Sequence, residues 1–370
     1  MYSRSDHALP DVTVPNPPSD TVSSLNYSPT SDILVACSWD GSVYIYAPST
    51  PGSLENMVLK TSFPNTNSSP VLCSCFSNDG VVLFTGSADG VVRAIDMSSG
   101  SFSEIGAHET AVSAMAYTVS NYLVTGGWDK KVKFWDTKQQ PMLIKEETLN
   151  ERVYAIDSKG ESVVACLAKN EIVTFNAYNF ARVLTPTADS YGSGSFMENK
   201  YGMSSSVGMR YGGSSQDSKY VTKLAWQIRS VSCSNDGVIV LLGSLDSKID
   251  MIAVKQVKSA DVSNFYTFRS HKTEAALYPI NKVLFHPVYQ NSFLTCGGDG
   301  MYNLWNRESR KRKKTGGPGA GNPITAAAFD KTGRYLAYAV GYDWSKGYIP
   351  QINIPVEIKI ALISESDHQS

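Results

Sequence analysis

Long apolar runs are missing from this 370-residue chain. No stretch approaches the roughly 18 apolar residues that a membrane-spanning helix needs, so no membrane insertion is expected. The opening MYSRSDHALPDVTVPNPPSD has no apolar centre of the kind a secretion signal carries. Excess charge of one sign is also missing: 33 Lys and Arg against 34 Asp and Glu leave a formal net charge of −1. That balance excludes a long-range field gathering nucleic acid over the whole surface, so any RNA contact must be local. The six cysteines, Cys37, Cys73, Cys75, Cys166, Cys233 and Cys296, form no CxxC pair. Each lies in or beside a short apolar run, as buried reduced thiols do. Asn26 and Asn67 match glycosylation acceptors, which count for nothing without secretion.

The usual marks of catalysis are absent as well. The five histidines (His7, His108, His271, His286, His368) are isolated from one another. There is no GxSxG, no phosphate-binding glycine loop and no metal-spaced cluster, so neither an enzyme nor a cofactor is expected.

What the chain does have is a repeat. YSPTSDILVACSWDGSVYIYA from Tyr27, FSNDGVVLFTGSADGVVRAID from Phe76 and YTVSNYLVTGGWDKKVKFWD from Tyr117 share one order of features. IDSKGESVVACLAKNEIVTFN from Ile156, CSNDGVIVLLGSLDSKIDMIA from Cys233, FHPVYQNSFLTCGGDGMYNLW from Phe285 and FDKTGRYLAYAVGYDWSKG from Phe329 follow it too. Each runs from a polar turn through an apolar strand and a small-residue step to a tight turn, then an alternating strand. The turns carry Asp40, Asp89, Asp129, Asp246, Asp299 and Asp343, with Ala168–Lys169–Asn170 as a degenerate fourth. Spacings of about 40 to 53 residues, with one long step, lie close to the period of WD-repeat propeller blades. The expected fold is all-β, a seven-bladed WD-repeat β-propeller over residues 10–363.

A turn aspartate facing the protein needs a partner. His108, Asp129 and Trp135 supply the WD-repeat set in the third unit, and His271, Asp299 and Trp305 repeat it in the sixth. An open sheet edge must also be closed. VEIKIALI, from Val356 to Ile363, is expected to give the third strand of blade seven, and ALPDVTVP to finish that blade from the other end. Residues 1–9 and 364–370 read as tails, the first disordered.

Two segments depart from the pattern. Residues 186–218, rich in Gly and Ser with scattered Tyr and Met, read as a mobile loop between blades four and five. After Trp305 comes RESRKRKKTGG, where Arg310, Lys311, Arg312, Lys313 and Lys314 are consecutive. It fits a phosphate or RNA contact or an import signal, and equally a solvated outer strand.

SWDGSVYIY, TGGWDKKVKFWD, WQIRSVSC, YPINKVLFHPVYQNSFLTCGGDG, LWNRESRKRKK and AYAVGYDWSKG together resemble one family, the mRNA-export propellers of the nuclear pore, the Rae/Gle type. The likeness runs from about Asp11 to Ile363. A sister group, the Bub-type propellers of the mitotic checkpoint, shares SWDGS and QIR; the YDWSKG ending and the basic run favour the export branch. The resemblance implies a protein of the nucleus, the nuclear pore complex and the nuclear rim, with a cytoplasmic share. Its expected partner is a nucleoporin bearing a GLEBS segment, an acidic hairpin laid across one propeller face, with RNA or mRNA export complexes beyond. For a checkpoint adaptor the partners would be kinases with GLEBS-like segments. Carried over by motif, the peptide contacts are Trp39, Arg229 and Lys248, where the family usually has Arg. Packing within the turn competes for Trp39, and a rim salt bridge for Arg229. By the same resemblance, Trp305 and Arg310 match a second site for a phosphate-type group or a partner. Arg229 is expected to point outward from its blade.

Overall fold

A computed structural model describes residues 11–368 apart from 65–68, 141, 184–219, 223, 256–264, 320 and 349–353. Seven antiparallel sheets, one per repeat, make up the molecule. Blade one holds Val22–Tyr27, Leu34–Ser38, Ser42–Pro48 and Met57–Pro64 in that order from the inside out. Middle strands such as Leu34–Ser38, Ser162–Leu167 and Ser292–Gly297 are buried at every position, because a neighbouring blade covers each face. Outer strands such as Phe102–Ala107 and Leu143–Thr148 are polar and largely exposed. The apolar core therefore lies between blades, each interface filled by side chains of two adjacent sheets. Burying one such Val, Leu or Ile contributes about 1.5–3 kcal/mol.

Closure follows the sequence expectation. Glu357–Leu362 is the third strand of blade seven, and Val12–Val14 pairs with it through Val12↔Ile360 and Val14↔Ile358. The Tyr338 hydroxyl donates to Asp11 at 2.5 Å, fixing the start of that outer strand.

The loop reading of residues 186–218 lies outside the described residues, but the place of the segment in the fold is visible from either side. Arg182–Val183 and Tyr220–Val221 both pair with Glu171–Asn176, the third strand of blade four. The insertion thus interrupts the outer strand of blade four and does not follow that blade. Composition marks an insertion, but only pairing shows which strand it splits.

At the C-terminal end, residues 365–368 form a turn of 3₁₀ helix docked on blade six. Lys314 donates to Asp367 at 2.8 Å, and His368 Nδ1 lies 2.9 Å from the Ser292 hydroxyl. A short polar segment gives no periodic signal, so the sequence reads there as a tail.

The inner strands carry one feature that positions everything else. In all seven the pairing slips by one residue just after the first position, for instance between Val22 and Ser24 and between Ile228 and Ser230. The slipped residues are Ser23, Leu72, Ser113, Tyr154, Arg229, Asn281 and Thr325, and together they ring the mouth of the central channel. A bulge re-aims its side chain. Three of the seven then join blades: Ser23, Ser113 and Asn281 donate to the first carbonyl of the next inner strand, on Val71, Val153 and Ile324.

Candidate peptide-binding face

The tight turns between second and third strands lie on the face where the bulges open. In each turn the residue after the Asp position is left-handed: Gly41, Gly90, Lys130, Asn170, Ser247, Gly300 and Trp344 all have φ between 59° and 86°. The turn, and not the residue, imposes that conformation. Glycine meets it without strain, whereas a non-glycine residue in this region costs about 1–2 kcal/mol.

The turn carboxylates find different partners. His108 Nδ1 donates to Asp129 at 2.9 Å, the Thr125 hydroxyl donates to His108 Nε2 at 2.8 Å, and Trp135 Nε1 donates to Thr125 at 2.9 Å. His271, Asp299, Thr295 and Trp305 repeat the chain at 2.8, 2.8 and 3.1 Å. Both sets expected from the sequence thus assemble, each with a threonine that the motif spacing does not reveal. Gly127 makes room, since a Cβ there would sit 2.5 Å from Asp129 and 2.6 Å from His108. Elsewhere Asp40 accepts from Tyr44 and Ser19, Asp89 from Arg93, and Asp246 from Ser244.

Above the channel mouth is a depression of about 480 Å³ whose walls include Trp39, Trp128, Trp344, Tyr154, Tyr342 and Arg229. Trp39 and Trp128 stand just before the turn Asp of blades one and three; Trp344 stands just after that of blade seven. Their exposures of 38%, 40% and 47% are large for tryptophan. Trp226, 61% exposed, precedes the inner strand of blade five and so shares the face. Four of the six tryptophans are therefore held in water on one side of the molecule. Only Trp39 stands out in the sequence. The others become visible once the turn position in each repeat is known.

Arg229 does not point outward. Its bulge turns it into the channel mouth, where a guanidinium N–H donates to the Asp343 carbonyl of blade seven at 2.9 Å. Burial pulls its pKa below the ordinary arginine value, and the charge of Asp343 opposes that pull. Lys248 is elsewhere. It opens the third strand of blade five opposite Arg269, and both cations approach Asp246, at 3.6 and 3.5 Å. Trp39 and Arg229 share one depression, while Lys248 and Arg269 form a separate cationic pair.

The basic run is the outer strand of blade six, Lys311–Gly316. Lys311 and Arg312 are exposed, whereas Lys314 is held by Asp367 and the Leu362 carbonyl. Arg310 lies over the Tyr266 ring at 4.7 Å. Beside it Phe268 meets Trp305 edge-on at 4.9 Å, so Trp305 serves the His271 set while showing part of its ring at this edge.

Comparison with known proteins agrees with this architecture. Residues 12–47, 57–96 and 100–136 match the family described as WD domain, G-beta repeat. The poly(A)+ RNA export protein of Schizosaccharomyces pombe is 30% identical, over 91% of this chain and 86% of its own length. WD40 repeat protein poxJ of Penicillium oxalicum is 33% identical over 91% and 89%, and Protein Rae1 of Drosophila melanogaster is 29% identical over 94% and 92%. The chain belongs to the Rae/Gle-type family of WD-repeat propellers. Its seven-bladed fold is the one that the repeats imply. No helix among the described residues is long and apolar enough to cross a membrane.

Proposed function

We propose that this chain is a non-enzymatic mRNA export factor that docks at the nuclear pore by holding an acidic hairpin of a nucleoporin, of the GLEBS type, across the channel mouth. The observation that carries the reading is the depression itself, aromatic at its walls and floored by a guanidinium with a single hydrogen bond among the described residues. Exposed tryptophans around a concave site suit a partner's apolar side chains. A partly desolvated arginine with spare donors suits a carboxylate, which it can grip with two parallel bonds. Lys248 and Arg269 extend the positive potential outward along blade five. The names of relatives, a poly(A)+ RNA export protein among them, agree with an export role.

The outer edge of blade six supports a second contact, with RNA or an RNA-mimicking partner. Lys311 and Arg312 are exposed there, Arg312 opposite the half-buried Trp305 that Phe268 meets edge-on, and single-stranded nucleic acid is held by cations beside stacking faces. The reading places the protein at the nuclear rim with a cytoplasmic pool. Capture from nuclear extract tests it: recovery of nucleoporins supports export, and recovery of checkpoint kinases alone would move the chain to the checkpoint branch.

A further inference from the structure

The inner strands of the seven blades align position by position, and one position breaks the pattern. At the third place blades one to five and seven carry Ser24, Cys73, Ala114, Ala155, Ser230 and Ala326, all small. Blade six carries Lys282.

Lys282 lines the central channel, a cavity of about 430 Å³ whose wall includes the seven bulge residues. Its ammonium makes no hydrogen bond and no ion pair among the described residues. Burial pulls its pKa below the ordinary lysine value, with the charge of Asp157 acting the other way. A half-buried ammonium facing the channel with three free donors suits an anionic partner.

The other charged groups of the channel do not supply that partner. The lining holds three cations, Arg229, Lys282 and Lys159, and one carboxylate, Asp157. Asp157 is already engaged by two backbone N–H groups, of Ser158 at 2.9 Å and Cys233 at 2.6 Å. Arg229, at the top of the same channel in the neighbouring blade, has donors to spare. The remaining wall is rich in serine hydroxyls, which can donate or accept.

We infer that the channel is a binding site for a free phosphate-class oxyanion, held by Lys282 from blade six with help from Arg229 of blade five. The site opens into the peptide depression above it, and Arg229 lines both. An anion here would offset the positive excess of the lining and tie two adjacent blades together. It would bind the folded propeller alone, since only the fold brings the two cations into one channel, and so would raise thermal stability as it saturates.

The test is a thermal melt of the full chain against inorganic phosphate, with ionic strength held constant by chloride. The wild type should show a saturable rise in Tm. Lys282→Met should lose that rise, or need at least tenfold more phosphate for it, whatever its own Tm without phosphate. Lys282→Arg, which keeps the charge, should retain it. Lys282→Ser, the residue type of blade five at this position, serves the same purpose if the methionine variant fails to fold. A variant with Lys311→Ser and Arg312→Ser should keep the full rise, which separates the channel from the basic strand. No saturable rise in the wild type, or an equal rise in Lys282→Met and Lys282→Ser, overturns the inference.

Discussion

The rings of Trp39 and Trp344 lie 6.3 Å apart, one from the tight turn of blade one and the other from that of blade seven. The two blades meet where the chain closes, so the pair spans the seam of the propeller. Trp344 stands at φ 59°, in the place that Gly41, Gly90 and Gly300 occupy in other blades. Backbone strain retained under an exposed ring points to use of the ring.

Trp344→Gly should therefore separate stability from binding. The glycine relieves the left-handed strain and removes an exposed ring, and the two effects should leave stability within about 1 kcal/mol of the wild type. Affinity for the acidic hairpin should drop by about tenfold or more. Denaturant melts and peptide titration on one preparation check both halves.

Asp129→Ala removes the acceptor that orients His108. His108 then keeps a buried Nδ1–H with nothing to receive it, and the chain through Thr125 to Trp135 loses its anchor. The expected cost is about 2–4 kcal/mol of stability. A melting temperature equal to the wild type would contradict this account of blade three.

Stability should fall as the solution is acidified below about pH 6.5, the ordinary histidine pKa. Burial holds the pKa of His108, His286 and His368 down, that of His286 to about 4. His286 also accepts at Nδ1 from the backbone N–H of Val288 and Tyr289 while its Nε2 donates to Gly333, so a second proton would break the turn. The unfolded chain binds more protons than the folded one between pH 6.5 and 4, so the stability these groups supply is present above that window and lost as pH falls through it. His286→Asn should flatten the Tm–pH slope there, even at a lower overall Tm.

The basic strand should divide by role. Lys311→Ser with Arg312→Ser should weaken RNA binding, with little change in Tm. Its salt slope should fall by roughly 0.7 for each phosphate that is no longer neutralised. Lys314→Ser should do the reverse, since Lys314 holds the docked C-terminal turn. Unchanged RNA affinity in the double variant across a salt series would leave the strand with a structural role alone.

Much of the fold is legible because each repeat spells out its own turn chemistry: Asp at the turn, a small-residue step before it, apolar strands on either side. The two His–Asp–Trp sets can be read for the same reason. Thr125 and Thr295 cannot, because a threonine in a buried strand looks like any β-branched residue. The direction of Arg229 is opposite to the one its strand suggests. A plain strand alternates its side chains, and nothing in QIRSVSC announces the slipped residue that turns the guanidinium into the channel. Lys248 lies just past its turn as expected, yet its distance from the depression depends on strand order within the blade, which motif spacing does not encode. The aromatic face is hidden because its tryptophans occupy different turn positions in different repeats.

Whether the channel mouth holds an acidic hairpin through Arg229 and the tryptophans around it is tested most directly by calorimetry. A GLEBS-type nucleoporin peptide is titrated into the wild type, Arg229→Gln and Trp39→Ala, each checked by thermal melt. Glutamine keeps an N–H for the Asp343 carbonyl but removes the charge, so the fold should hold while affinity falls by about 2–3 kcal/mol, roughly 30- to 150-fold. Trp39→Ala should cost at least about tenfold. Wild-type affinity in both variants, with both folded, would contradict the account.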